Sequence, residues 1–509
     1  MARLASAPGT EPRRRRSKPT HESRHLASQR SHRPSSPDSR PRMLHETDAV
    51  IEVEEIDKAG VLQRKWTQDS GHTMALAFNI DSGSRFKGLD LSKVKRILAD
   101  AFLPVGFPHS VTDDYLAYQT YDSLQAFFST ISGLLSSRAL LEGLGVGDAS
   151  SSATYALILT ILQDMVSRLA TIGFAHRAGL AIEPECKRFR FLADLFNDTA
   201  FFLDLVVPAL PAALRVSVLC VSAMLRALCG VAAGSSKAAL SAHFARQDNM
   251  AELNAKEASQ ETAVGLVGLL VGTATVQVFR DRATVFWVMI GLVLAHLYMN
   301  YRAVQAVKLE VLNRQRMMIL YTEYLRSGIV MTPAQVCKAE RILLWSPIVK
   351  NRFGRPVARV SFASSYKDLV SNAGREIFTG QGPFMAWLHD GAEGSISHIK
   401  IMLTNAASPL DAMTAWALAM DEAWDMGDEK TLATGDVVYE LAERTMYFRP
   451  AAKALSRSEQ MASFQRLGAG SDEVFLNELK EKGWSLTATA FETGVPVRVK
   501  IIAKEKKEG

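Results

Sequence analysis

Asp113, Asp114, Tyr118 and Asp122 fall within "GFPHSVTDDYLAYQTYDSLQAFFSTISG", residues 106–133. Neighbouring carboxylates can act as general acid and base or bind a cation. Helical spacing puts Asp114, Tyr118 and Asp122 on one face. The same residues have a plainer use. Thr112 is a good N-cap, and Asp113 and Asp114 in the first turn suit the positive end of the helix dipole. Asp164 and Arg168 form an i, i+4 pair in apolar surroundings, and Asp194, Asn197 and Asp198 make a looser polar group in "FLADLFNDTAFFLD". Ionisable groups in such surroundings are costly, so they pair with one another or line a wet cavity. Spacing alone leaves both uses open.

A fourth group lies in "ARQDNMAELNAKEASQETAVGLVGLLVG", residues 245–272. A polar run passes into an apolar, glycine-dotted run with no turn between them, as expected where a helix leaves water for an oily medium. Asn249, Lys256, Gln260 and Glu261 recur at helical spacing and draw a polar stripe toward the apolar part. One reading is a capped, salt-bridged helix start. The sharper one is a vestibule for a small polar or phosphorylated solute, with Lys256 supplying positive charge and Asn249 and Gln260 orienting it. Gly265, Gly268 and Gly272 form a small-residue stripe where a second helix, or a ligand, can come close.

Few other motifs carry chemistry. Gly143, Gly145 and Gly147 precede a helix capped by Asp148 or Ser150, but no strand leads into them, so a dinucleotide fingerprint is a weak match and a helix–helix loop the better one. Cys186, Cys220, Cys229 and Cys337 form no CxxC pair and no zinc pattern, and read as small buried hydrophobes in a reducing compartment. No nucleophile elbow, P-loop or HExxH is present. The expectation is a protein without catalytic residues, metal or cofactor. An enzymatic reading would rest on Asp113, Asp114 and Asp122 alone.

The elements that must position these residues are mostly helices. Residues 50–68 alternate like a hairpin around Lys58–Ala59–Gly60. Leu91–Phe102 is a short helix stopped by Pro104. Apolar helices follow near 149–175, 199–233, 262–279 and 283–301, the last two separated only by Arg280–Asp281–Arg282. Eighteen or more apolar residues, at about 1.5 Å each, span a bilayer core. A buried hairpin in a large soluble core is the alternative, which Thr273, Thr275, Gln277, His296 and Asn300 keep open. Residues 302–345 read as a polar amphipathic helix pair, its second member started by Pro333. From Val349 the pattern changes to an α+β domain, with strands in "RPVARVSFASSY" and "SISHIKIMLTN", a helix over 409–424, and a closing strand pair in "TAFETGVPVRVKII".

Composition narrows the class. Of 509 residues, 48% are hydrophobic and 22% charged, and the net charge is +6. Residues 1–45 hold eleven Lys or Arg against three acids, a local +8 that leaves −2 for the remainder. Nucleic acid is therefore not an expected partner. Residues 1–47 lack apolar periodicity and fit a disordered basic tail, an organelle transit peptide or, through "RRRRSK", a nuclear signal; a secretory signal is disfavoured.

"FLPVGFPHSVTDDYLAYQTYDSLQAFFSTISGLLSSRALLEGLGVG", "KRFRFLADLFNDTA" and "FARQDNMAELNAKEASQETAVGLVGLLVG" resemble, in this order, three blocks of the Root UVB Sensitive family. The resemblance covers roughly residues 85–325. Tyr121 departs from it where a tryptophan is expected, and "LQDMVSRLATIGFA" lacks expected glycines. It implies a membrane protein of plants and other eukaryotes, tied to vitamin B6 homeostasis and ultraviolet-B tolerance, with some members in plastids. The expected fold is mainly α: a polytopic helical membrane domain (48–345) followed by a small soluble α+β domain (349–509). Expected partners are membrane lipids, another family member or a second copy of the chain, and a small polar solute. Two functions compete. One is a carrier or sensor of such a solute. The other is a non-catalytic scaffold recruiting a partner through its C-terminal domain and the Met- and Trp-bearing helix 409–424.

Overall fold

The computed structural model describes residues 51–56, 62–69, 72–76, 91–143, 153–370, 374–378, 382–389, 396–426 and 471–500. The basic segment 1–47, the Lys58–Gly60 turn, and Gly145, Gly147, Asp148 and Ser150 of the glycine loop lie outside them. A three-stranded sheet of β1 (Ile51–Ile56), β2 (Leu62–Asp69) and β3 (His72–Leu76) carries the expected hairpin plus one further strand, with β2 central.

The helical part contains α1 (Leu91–Phe102), α2 (Tyr115–Gly143), α3 (Ala153–Ile182), α4 (Cys186–Val206), α5 (Ala212–Phe244), α6 (Met250–Val278) and α7 (Arg282–Ala306). Among the described residues, four segments are long and apolar enough to cross a membrane: Thr154–Ile182, Ala213–Phe244, Met250–Val278 and Arg282–Ala306. The apolar run over 199–233 is not one helix. Pro208 and Pro211 divide it, because proline removes an amide donor and clashes with the preceding turn. Its first part ends α4 and the rest opens α5. Outward faces are strongly apolar: Leu169 is 69% and Leu270 74% exposed, and Ile158, Ile172, Trp287 and Leu294 lie open beside them. Exposed apolar surface on this scale is costly in water.

The Gly268 and Gly272 stripe brings α6 onto α2. A Cβ at Gly268 would lie 2.9 Å from Thr130 Cβ and 3.3 Å from the Phe127 carbonyl oxygen; one at Gly272 would lie 2.5 Å from Leu134 Cδ1. Gly265 faces open space and takes no part. The close approach is thus made by a helix and not a ligand. Gly268→Val is expected to lower stability by about 1–3 kcal/mol through overpacking, whereas Gly265→Ala should leave the melting midpoint of the detergent-solubilised protein unchanged or raised.

Beyond α7, β4 (Val311–Asn313), α8 (Arg314–Ser327) and α9 (Pro333–Ala339) precede β5 (Ile348–Lys350), β6 (Pro356–Phe362), α10 (Tyr366–Leu369), β7 (Gly374–Phe378), β8 (Phe384–His389), β9 (Ser397–Thr404) and α11 (Pro409–Asp425). The last described elements are α12 (Ser471–Glu481), β10 (Ser485–Ala490) and β11 (Arg498–Val499). Strand order is β5-β6-β9-β8-β7, with β11 parallel to the end of β9. The expected closing strand pair does not form among the described residues: β10 pairs in parallel with β4, with Ser485 opposite Val311, and β11 with β9. The two strands instead complete separate sheets.

One hydrophobic core joins Leu312, Leu320 and Tyr321 to Val360, Ile401 and Phe491. Residues around β4 and α8 therefore pack with the C-terminal sheet, although their sequence reads as the end of the helical domain. Ser408 and Asp411 form a capping box at the start of α11, with Pro409 at its first position. Met413, Trp416 and Met420 of α11 are each at most 1% exposed, and Trp416 stacks on Phe491 at 5.4 Å. These three residues hold the core, while Trp424 of the same helix is half-buried.

Candidate functional site

The polar residues that the helices bring together form a network enclosed by α2, α4 and α7. On α2, Tyr118, Asp122 and Gln125 share a face through their four- and three-residue spacing. On α4, Arg190, Asp194 and Asp198 repeat every four residues, as His296 and Asn300 do on α7. All are buried. Arg190 sits at the centre: its Nη2 donates to Asp122 Oδ1 at 2.7 Å and to Gln125 Oε1 at 3.2 Å, while Nη1 donates to both Asp194 oxygens at 3.1 and 3.2 Å. Gln125 Nε2 and Asn300 Nδ2 also donate to Asp194. His296 Nδ1 lies 2.8 Å from Asp198 Oδ2, and its Nε2 3.7 Å from Asp194 Oδ2. Tyr118 Oη is 3.5 Å from Asp122 Oδ1, and Asn197 Nδ2 3.5 Å from Ser129 Oγ at the margin.

The charges do not balance. Three carboxylates, Asp122, Asp194 and Asp198, face one guanidinium and one imidazole. Even with His296 protonated, the cluster carries one negative charge too many. Arg190 Nε, Asn300 Oδ1 and His296 Nε2 have no hydrogen-bond partner among the described residues. Buried polar groups are ordinarily satisfied, so open donors and acceptors beside surplus carboxylate mark room for a proton, a cation or a polar solute. Two further charged groups extend the polar interior. Asp204, fully buried, accepts from Ser136 Oγ at 2.9 Å and from Arg226, whose Nη1 donates to Ser222 Oγ at 3.0 Å. Glu257, 1% exposed, has no hydrogen bond to either carboxylate oxygen, with Lys237 Nζ 4.0 Å away.

Other expected site residues sit elsewhere. Asp164 and Arg168 are exposed on the outward face of α3 and make no ion pair with each other among the described residues. Equal spacing had placed them on one face without saying which way it pointed. Lys256 and Gln260 donate to the Asp100 and Phe102 carbonyl oxygens that end α1, and Asn249 Nδ2 donates to the Ser110 carbonyl oxygen at 3.2 Å. Glu261 pairs with Lys237 at 3.1 Å. The vestibule group thus ties α6 to α1, to the loop after it and, through Glu261, to α5, while Asn249 makes no side-chain cap bond at the start of α6.

Asp113 and Asp114 precede α2 instead of occupying its first turn, and Thr112 Oγ1 makes no cap bond. Asp113, exposed, pairs with Lys308 at 2.6 Å. Asp114 is buried and accepts from the Lys308 amide at 2.6 Å, with His243 Nε2 at 3.0 Å. Burial pushes its carboxyl up, but the hydrogen bond and charge of His243, joined by the Lys308 amide, outweigh that and hold it at about 2 against an ordinary 3.8. A lowered folded-state value stabilises above the unfolded value and is lost as pH falls through the folded one. Asp114→Asn is accordingly expected to cost about 2 kcal/mol at neutral pH. The melting midpoints of variant and wild type should converge as pH falls from 3.8 toward about 2.

Arg190, Gln125, His296 and Asn300 are the functional candidates that sequence reasoning left out. The four-residue repeat Arg190–Asp194–Asp198 was the signal for Arg190, and the four-residue spacing of His296 and Asn300 a second one. Among the described residues, no group of three or more His, Cys, Asp or Glu side chains is arranged to hold a metal ion. Cys186 and Cys337 are buried thiols, while Cys220 and Cys229 are half-buried.

A helical bundle with largely apolar outer faces, broken on α3 by Asp164 and Arg168, and a charged, incompletely neutralised interior defines the class: a helical protein of membrane-spanning composition, with a strand-containing C-terminal region. A family model described as the vitamin B6 photo-protection and homoeostasis domain matches residues 89–328. "Protein root UVB sensitive 3" of Arabidopsis thaliana is 34% identical over 334 residues, 64% of this chain and 75% of that protein. "RUS family member 1" of Dictyostelium discoideum is 37% identical over 275 residues, 53% of this chain and 51% of that protein, so the chain spans about half the length of this relative. "Protein root UVB sensitive 2, chloroplastic" of Arabidopsis thaliana is 26% identical over 47% of this chain and 55% of that protein. The chain belongs to the Root UVB Sensitive family. No solved structure matches it.

Proposed function

We propose that the protein is an integral membrane carrier or sensor of a small polar solute in vitamin B6 homeostasis and acts without covalent catalysis. The observation that supports it is the Asp122–Arg190–Asp194–His296–Asp198 network: surplus carboxylate and unpaired polar atoms enclosed by apolar helices. Charge inside a membrane domain is costly and normally marks a solute or proton path. The surplus suits a protonated or cationic group on the solute better than the phosphorylated one expected from Lys256. Membrane lipids surround the four long helices, and the chloroplastic name of one relative favours a plastid membrane.

The decisive experiment reconstitutes the full chain into liposomes and follows labelled pyridoxamine, whose primary amine is protonated at neutral pH. Protein-dependent uptake that is reduced by His296→Gln is expected. Equal uptake by liposomes with and without protein would reject the carrier reading. Extraction at alkaline pH with carbonate tests the embedding separately: the chain should stay with the membrane pellet, and release into the supernatant would make the four helices a soluble core.

A further inference from the structure

A second cleft lies where the start of α4, just ahead of Arg190, meets the start of α8, with an empty volume of about 430 Å³ open to solvent. Its walls are cationic. Two carboxylates are each bracketed by two cations: Glu340 by Lys187 at 2.5 Å and Arg316 at 3.0 Å, and Glu185 by Arg188 at 2.9 Å and by Arg314. Each trio keeps one surplus positive charge. Arg341 adds a third, having no charged partner among the described residues.

Two helix N-termini, carrying partial positive charge, open onto the same space. That of α4 lacks a side-chain cap. Independently of both, Gln315 lines the cleft while only 7% exposed, and its Nε2 has no hydrogen-bond partner among the described residues. A buried amide donor left open is costly unless something accepts from it. Trp345 forms part of the wall, with the Arg314 guanidinium 5.5 Å from its ring centroid.

We infer that this cleft is a binding site for a phosphate monoester, held by Arg188, Arg341 and the Gln315 amide at the α8 N-terminus. The surplus of three positive charges matches a phosphate dianion better than a single carboxylate, and arginine forks match phosphate oxygens in pairs. The phosphate belongs either to a soluble ester or to a lipid headgroup. The site is separate from the carrier network, so it stands whether or not uptake is observed.

The test uses the full chain in detergent. Phenyl phosphate is titrated calorimetrically, and phosphatidic acid is compared with phosphatidylcholine by native mass spectrometry. Wild type should bind at least one phosphate monoester, more weakly as salt rises. Arg188→Gln/Arg341→Gln, both at the exposed rim, should weaken binding roughly tenfold or more while keeping the wild-type melting midpoint. Gln315→Leu should weaken it without changing the salt dependence. Binding of phenyl phosphate alone assigns a soluble ester, and binding of phosphatidic acid alone a headgroup. Failure of wild type to bind either, or equal binding by wild type and double variant, overturns the site.

Discussion

Arg190→Met is expected to destabilise the protein by about 3–5 kcal/mol, the usual cost of leaving buried charge unpaired. Arg190 neutralises Asp122 and Asp194 from the centre of the network, and all three are buried. Methionine keeps much of the side-chain volume, so the loss is electrostatic and not a cavity. Asp122 would then keep only Tyr118 Oη at 3.5 Å, and Asp194 only Gln125, Asn300 and the distant His296 Nε2. Thermal unfolding in detergent should show a midpoint lower by on the order of 10 °C. Adding Asp122→Asn and Asp194→Asn to Arg190→Met should restore most of the loss, because neutral amides can share hydrogen bonds where anions cannot stay bare. An unchanged midpoint for the single variant would mean that the network is hydrated and exposed in solution, contrary to its burial here.

The second large effect is expected at Glu340→Gln. Lys187, Arg316 and Glu340 are almost wholly buried, with side-chain exposures of 4–5%. Burial alone would push the Glu340 carboxyl up, but Arg316 and then Lys187 outweigh it and hold the group below its ordinary value. Its stabilising contribution is therefore present above the ordinary glutamate range and disappears as pH falls through the lowered value. Glutamine leaves two buried cations sharing one neutral oxygen, a loss of about 3–5 kcal/mol at neutral pH. The loss should shrink in acid as the wild-type carboxyl becomes protonated. A constant difference between pH 7 and strongly acidic solution would assign the effect to packing. Since Lys187 belongs to α4 and Glu340 follows α9, limited proteolysis between bundle and C-terminal region should also speed up in the variant.

Much of the helical architecture was legible. Leu91–Phe102 was fixed by a proline stop, and the two apolar runs flanking Arg280–Asp281–Arg282 became α6 and α7. Periodicity works for such elements because each is decided within its own stretch of chain. The site was only half legible for the same reason. Asp122, Asp194 and Asp198 were singled out from their spacing, but Arg190, inside "KRFRF", looks like an ordinary basic cluster until α4 turns it inward. His296 and Asn300 were noticed and weighed as signs of a soluble core; against Asp198 and Asp194 they complete the charged interior. Asp164 and Arg168 failed in the opposite direction, since nothing local reveals that α3 faces outward there. The pairing of β10 with β4 was unreadable, because both strands are short and their partnership is set by a core assembled from distant segments.

That last pairing constrains how the chain can be made. β4 and α8 leave the ribosome long before Trp484, Ser485 and Phe491, yet they share one core with Phe491, and Trp484 Nε1 donates to the Met331 carbonyl oxygen at 2.7 Å. During synthesis α11 can cover part of α8 and of the sheet soon after β9, but the places of Phe475, Trp484 and Phe491 in that core stay empty until the last described segment is added. Such late closure exposes apolar surface to wrong partners and slows folding. A chain cut after Lys350 would leave β4 and α8 permanently without the other half of their core. Loss of function in that truncation would then report misfolding, and would carry no information about recruitment by the C-terminal region.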